Sequence, residues 1–340
     1  MLKLSTILLC LTVSLASFAS SLIKYVPSSA QAIVHIKPLE LLNSPFAVQL
    51  REQDPQLKEN WQKLQSDLNK LGLQIKDLPT EALIFFKTDK SLLGFIGKGH
   101  LSEQKMVKLI ESRKQTDNQP AYKISDIEGH RVYTYQSNAG SFKDAALTYL
   151  TPDTFIVTPG KYMKATLQGM NKGLAPDLTT ALKTVKKDSL VWLAVENNFA
   201  AQDPKAVVNS FIKPVKTISA SLNLQGKAQR DLAFNSDIIC TDNQSAANLA
   251  MQLNGITMLM IPQGFSKNPQ LANKLAHSIK IAPEKNSIKV GVVLQETTLN
   301  ELINYKRKAQ TGKILPLNPS LDRGKESKNL KYRTFQANFI

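Results

Sequence analysis

The antiparallel character of the fold is decided by residues 122–135, YKISDIEGHRVYTY. Two runs containing β-branched and aromatic residues flank the turn Glu128-Gly129-His130, a pattern typical of a β-hairpin. A second hairpin is predicted where ISASLNL at 218–224 alternates apolar and polar residues and the chain returns over 231–240. Hairpins of this kind build antiparallel sheets.

Strands and helices are predicted on both sides of these hairpins from changes in the apolar period. The other strands are predicted at 32–36, 82–86, 92–96, 145–150, 155–157, 189–195, 279–281 and 288–294. The helices are predicted at 55–71, after the N-cap Ser102, at 161–170, 204–211, 245–260 and 269–277, and from Thr297 or Thr298. Pro262 is expected to end the helix that begins at 245.

The predicted elements fall into two similar sets. Residues 21–185 have the order β-α-β-β-α-β-β-β-β-α, and residues 186–308 have β-α-β-β-α-α-β-β-α. We therefore expect an α+β fold with mixed, mostly antiparallel sheets and helices packed mainly on one face. A first α+β unit at 21–185 and a second at 186–308 are expected from internal duplication, with two unrelated α+β domains as the alternative. Residues 309–340 are predicted to form a basic irregular tail.

Residues 1–20 have the layout of a secretory signal peptide: Lys3, an apolar run at 4–15, and small residues at Ser17 and Ala19. The run is shorter than the roughly 20 residues of a spanning helix, which favours cleavage after Ala19 or Ser20. The mature chain is therefore predicted to be secreted or periplasmic, with no transmembrane segment. Cleavage leaves one cysteine, so no internal disulfide is expected.

Several segments resemble a group of secreted proteins of unknown function from planctomycete-type and lentisphaera-type bacteria. The resemblance lies in YVPSSAQAIVHI at 25–36 and LLNSP at 41–45, with similar pieces at 127–133, 154–157 and 189–193. It covers most of residues 21–308. The resemblance implies an exported protein of this architecture, and the group brings no established activity.

No catalytic motif stands out in the sequence. The four histidines lie far apart, without a pair at metal-ligand spacing. No Gly-x-Ser-x-Gly elbow occurs, and Ser-x-x-Lys at 102–105 lacks the motifs that accompany it in penicillin-binding enzymes. The glycines at 94, 97 and 99 match neither phosphate-binding pattern and predict a strand end with a tight turn. We therefore assign no catalytic, cofactor-binding or metal-ligating residue and predict no cofactor.

Charge is the remaining feature, because 43 basic residues against 27 acidic ones give a net charge of +16. Residues 306–340 carry nine basic side chains and two acidic ones, hence +7. The nine are Lys306, Arg307, Lys308, Lys313, Arg323, Lys325, Lys328, Lys331 and Arg333. They are predicted to bind an anionic envelope polymer or lipid headgroups, with nucleic acid as the less favoured partner. The alternative is a solvated basic surface that aids solubility.

Taken together, these features favour a secreted or periplasmic, non-catalytic binding or scaffold protein of the cell envelope that contacts anionic surfaces. The alternative is an envelope hydrolase whose active site is assembled only in the fold. Acidic residues are numerous enough for a carboxylate pair, but their separation is a property of the folded chain.

Overall fold

A computed structural model describes residues 21–70, 72–87, 92–112, 122–135, 144–197, 213–226 and 228–310. The helices of these residues are α1 (Pro38–Asn43), α2 (Pro45–Gln53), α3 (Pro55–Lys70), α4 (Glu103–Ser112), α5 (Gly160–Gly169), α6 (Pro176–Thr184), α7 (Asn243–Gly264), α8 (Pro269–Ser278) and α9 (Glu296–Gln310). The strands are β1 (Ala32–Ile36), β2 (Glu81–Phe86), β3 (Leu93–Lys98), β4 (Tyr122–Ile127), β5 (His130–Tyr135), β6 (Ala145–Thr151), β7 (Thr154–Pro159), β8 (Val191–Glu196), β9 (Val215–Gln225), β10 (Asp231–Cys240), β11 (Ile279–Glu284) and β12 (Ser287–Leu294).

All twelve described strands belong to one sheet, in the order β11-β12-β10-β9-β8-β1-β2-β3-β7-β6-β5-β4. Each neighbouring pair in this order is antiparallel. The predicted β4–β5 hairpin is confirmed. Its turn has positive φ at Glu128 (56°) and Gly129 (76°), which matches the right-handed twist of the flanking strands. The predicted α+β class is therefore confirmed.

Strands β1 and β8 join the two halves of the sheet, with Val34 opposite Leu193 and His35 opposite Trp192. Outward from this pair, the strand order is β1-β2-β3-β7-β6 on one side and β8-β9-β10-β12-β11 on the other. The β4–β5 hairpin extends the first side. The predicted units 21–185 and 186–308 thus contribute to one sheet, while their duplication stays a prediction.

Helices pack on both faces of the sheet, whereas the sequence led us to expect them mainly on one. α5 and α6 share a buried cluster with Trp192 and Ala194, and α7 shares another with Ile218. Ala194 pairs with Ser219, the neighbour of Ile218, so the two clusters lie on opposite faces. The physical reason is visible in β2 and β8, whose nearly continuous apolar runs need cover on both faces.

The observed helices differ from the predicted ones at several places. α6 was not predicted, although it buries Leu178, Ala181 and Leu182. α7 continues through Pro262 to Gly264, because a proline in the last turn removes only one hydrogen bond of the helix. α9 runs to Gln310, and the rest of the tail predicted at 309–340 lies outside the described residues. The helix predicted at 204–211 lies outside the described residues.

Candidate functional site

The candidate site is the outward surface of α7, the longest helix of the described residues. Its 22 residues, NQSAANLAMQLNGITMLMIPQG, include no charged side chain. The helix begins after Asp242, whose Oδ1 accepts a hydrogen bond from the backbone N–H of Ser245 at 2.8 Å. The hydroxyl of Ser245 donates to Oδ2 at 2.8 Å. These hydrogen bonds, first of all the one from the backbone, hold the pKa of Asp242 below its usual value.

The inward face of α7 is anchored in its first half. Ala246, Leu249 and Ala250 are its buried residues and pack with Ile288 of β12. Cys240 lies in the same cluster, and burial raises the pKa of its thiol. Farther along, the side-chain amide of Asn254 donates to the carbonyl oxygen of Ile281 at 3.2 Å. The helix is thus fixed to the sheet up to about its middle.

The outward face of α7 is also apolar. Met251, Met258 and Leu259 are 68%, 73% and 64% exposed. They lie at positions i, i+7 and i+8, which places them on one face of a helix, opposite the buried residues. Met260 and Ile256 are also exposed, but they lie on the side of the helix that carries the buried residues in its first half, so the second half of α7 is exposed around most of its circumference. A helix that is apolar on both faces is normally covered on both, so the outward face of α7 is a candidate contact surface.

The stretch of chain that forms and follows this surface carries positive charge only. Residues 243–279 include Lys267 and Lys274 and no aspartate or glutamate. Lys267 follows the end of α7, and Lys274 lies on α8, which packs against α7. Both side chains are exposed. The apolar stripe and the two exposed lysines therefore belong to one stretch of chain that has no acidic residue.

A groove of about 610 Å³ adjoins the stripe where α7 meets α8. It is lined mainly by apolar and small residues, among them Pro262, Phe265, Pro269, Ala272 and Ala276. Pro262 belongs both to the groove and to the outward face of α7. The apolar surface therefore extends beyond the helix itself.

The residues that the sequence predicted as a site belong to α9 or lie outside the described residues. Lys306, Arg307 and Lys308 are in the last turns of α9, where Arg307 is half-buried. Lys313, Arg323, Lys325, Lys328, Lys331 and Arg333 lie outside the described residues. Their role stays a prediction. The sequence shows α7 as a long run without charged residues. It does not show which side of this helix is exposed, because that depends on which side packs against the sheet.

Within the described ranges, no three His, Cys, Asp or Glu side chains come together in a group that could hold a metal ion. Among the same residues, no helix combines the length and apolarity needed to cross a bilayer.

Comparison with known proteins gives no family for the chain. No protein-family model and no curated protein matches it. Similar solved structures include crystal form III of TP0453, a Treponema protein, with TM-score 0.44 and 12% identity over 83% of this chain and 96% of that one. Crystal form I of TP0453 gives 0.42 and 13% over 84% and 97%. At these values the likeness says nothing about function.

Proposed function

We propose that the protein is an exported, non-catalytic binding protein of the cell envelope that attaches to anionic lipid surfaces through the outward face of α7. The observation that carries this proposal is the exposed apolar stripe Met251, Met258 and Leu259, followed in sequence by the exposed Lys267 and Lys274 and by no acidic residue up to 279. Large exposed apolar patches mark protein or membrane contact sites. Export rests on the leader predicted at 1–20, which lies outside the described residues.

The magnitudes fit reversible attachment. Complete burial of a Met or Leu side chain contributes about 1.5–3 kcal/mol. A lysine close to an anionic leaflet adds about 1 kcal/mol. Methionine is unbranched and flexible, so Met251 and Met258 can adapt to the irregular boundary between headgroups and acyl chains. Three such side chains and two lysines support binding in the plane of the interface without a spanning helix.

A lipid surface explains the charge pattern better than the other occupants do. A second copy related by a twofold axis would bring the same lysine-bearing surface against itself, and like charges placed together are unfavourable. An anionic polymer would attract the lysines but would leave Met258 and Leu259 in water. The hydrolase alternative stays a prediction without a structural observation in its favour.

The test is binding to vesicles that contain phosphatidylglycerol. The double variant Met258→Gln/Leu259→Gln should bind roughly tenfold more weakly or worse, because about 1.4 kcal/mol corresponds to a factor of ten and two apolar side chains are lost. Co-flotation over a range of lipid concentrations measures this. The matched control is Ile124→Gln on β4, since Ile124 is 53% exposed and lies in the other half of the sheet.

Two outcomes would overturn the proposal. One is equal vesicle binding by the double variant and the wild-type protein. The other is equal binding to vesicles of neutral lipid alone. Self-association that disappears in the double variant, measured by sedimentation, would assign the stripe to a second copy instead.

The basic segment 306–340 is proposed to contribute to the same attachment by long-range attraction. Removal of residues 311–340 should lower the affinity and weaken its dependence on salt, because six basic side chains are lost. Screening limits the range of each charge to about 8 Å at physiological ionic strength. Affinity unchanged by this truncation would leave α7 as the binding element and remove the segment from the proposal.

A further inference from the structure

A second feature lies on the face of the sheet opposite to α7. There the end of α6 and strands β9 to β12 enclose a cleft of about 330 Å³. Its polar lining includes Lys186, Ser221, Asn235, Asp237, Lys280 and Lys289. The volume lies at the lower end of the range for small-molecule sites. The cleft shares no lining residue with the outward face of α7.

Asp237 is the informative residue of this cleft. It is 7% exposed, and its Oδ2 accepts a hydrogen bond from the ammonium group of Lys289. Its Oδ1 is buried and has no hydrogen-bond partner among the residues that the structure describes. An ionised carboxylate accepts several hydrogen bonds, and an unused buried acceptor is costly. A ligand hydroxyl in the cleft is the kind of donor that Asp237 lacks.

The lysines give the cleft its charge preference. Lys186, Lys280 and Lys289 against Asp237 leave a net charge of +2 on the lining. Lys289 forms an ion pair with Asp237. Lys186, at the end of α6, and Lys280, on β11, have exposed side chains on opposite walls of the cleft. Two cationic walls around a buried acceptor fit a molecule that carries both an anionic group and hydroxyl groups.

We infer that this cleft binds a small polyhydroxylated anion, of the class represented by a hexuronic acid or a sugar phosphate. The anionic group lies between Lys186 and Lys280, and a hydroxyl donates to Oδ1 of Asp237. Neither group alone satisfies the site: a neutral sugar leaves the lysines without a counter-charge, and inorganic phosphate offers no hydroxyl separate from its anionic group. This inference is independent of lipid attachment.

The experiment is calorimetric titration of the full chain with glucuronate, glucose 6-phosphate, glucose and inorganic phosphate. Glucuronate or glucose 6-phosphate should bind at least tenfold more tightly than glucose or phosphate. Lys280→Gln should weaken that binding at least tenfold, while Lys123→Gln, an exposed lysine on β4, should leave it unchanged. The comparison of the two acidic sugars shows which anionic group is preferred.

Asp237→Asn removes the charge that faces Lys289, and the variant can fail to fold for that reason. The wild-type protein therefore provides the second measurement. Amide resonances of β10 and β11 around Asp237 and Lys280 should shift with the acidic sugar, and those of β4 should not. Absence of binding at about 10 mM ligand, equal binding of inorganic phosphate, or unchanged binding by Lys280→Gln would each overturn the inference.

Discussion

At the scale of the residue, the β1–β8 strand pair that joins the two halves of the sheet contains a buried histidine. His35 on β1 stacks on Trp192 of β8, with ring centroids 5.0 Å apart and planes inclined by 13°. His35 is 1% exposed, and neither ring nitrogen has a hydrogen-bond partner within the described part of the chain. Its nearest carboxylate is that of Glu81, with Nε2 and Oε2 3.7 Å apart. The ring therefore acts mainly as a flat packing element.

This packing role gives the first prediction. His35→Phe should keep the stack and remove two buried nitrogens, so the free energy of unfolding should stay equal or rise by about 1 kcal/mol. His35→Ala should lower it by about 2–4 kcal/mol, because a cavity opens against Trp192. Chemical denaturation followed by the fluorescence of Trp192 and Trp61 measures both. A Phe variant as unstable as the Ala variant would show that the imidazole makes an essential polar contact.

At the scale of the element, β3 contains two glycines at positions where an aromatic ring from a neighbouring strand occupies the space that a side chain would need. A Cβ atom at Gly94 would lie 2.1 Å from the ring of Phe85, and one at Gly97 would lie 2.5 Å from the ring of Phe155. The sequence predicted a strand end with a tight turn here. The structure instead places both glycines inside β3, where the missing side chains make room for rings on either face of the sheet.

The second prediction follows from those distances. Gly97→Ala should lower the free energy of unfolding by about 1–3 kcal/mol, as overpacking of a well-filled core does. Gly94→Ala should act in the same direction. The control is Gly255→Ala in α7, which meets nothing within 4 Å and should be neutral or stabilising. Melting temperatures of the three variants provide the comparison, and a stability for Gly97→Ala at or above that of the control would contradict the packing argument.

Prediction from sequence succeeded where the signal is local. The β4–β5 hairpin was found because a glycine turn separates two strand-like runs, and strand β1 was found with its observed bounds. α6 was missed although Leu178, Ala181 and Leu182 have helical spacing after Pro176. The contact surface of α7 could not be found locally. Met258 and Ala250 are both apolar, and only the position of β10 to β12 decides which of them is covered.

At the scale of the whole molecule, the two predicted units share more than a sheet. α6 belongs to the first unit by sequence, yet it packs against β8 and β9 of the second. Across the boundary at 185, the hydroxyls of Thr184 and Ser219 are 2.6 Å apart, and the backbone N–H of Lys37 donates to the carbonyl oxygen of Leu190 at 2.9 Å. The core is therefore continuous through the boundary that the sequence suggested.

The last prediction concerns this continuity. Residues 21–186 produced alone should expose β1 as an edge strand, with Ile33 and His35 losing their cover, and residues 187–340 should likewise expose Trp192 on β8. Unpaired apolar edges template aggregation, and each fully buried large side chain contributes about 1.5–3 kcal/mol that the isolated half loses. Each half alone should therefore aggregate, whereas the two produced together should copurify. Copurification with an affinity tag on one half tests this, with Trp192→Ala in the second half expected to weaken the association.

The opposite result is that each half is a folded monomer with cooperative unfolding of its own. The β1–β8 pairing would then be an interface between two autonomous domains, and the two-unit organisation predicted from the sequence would be the better description of how this chain folds.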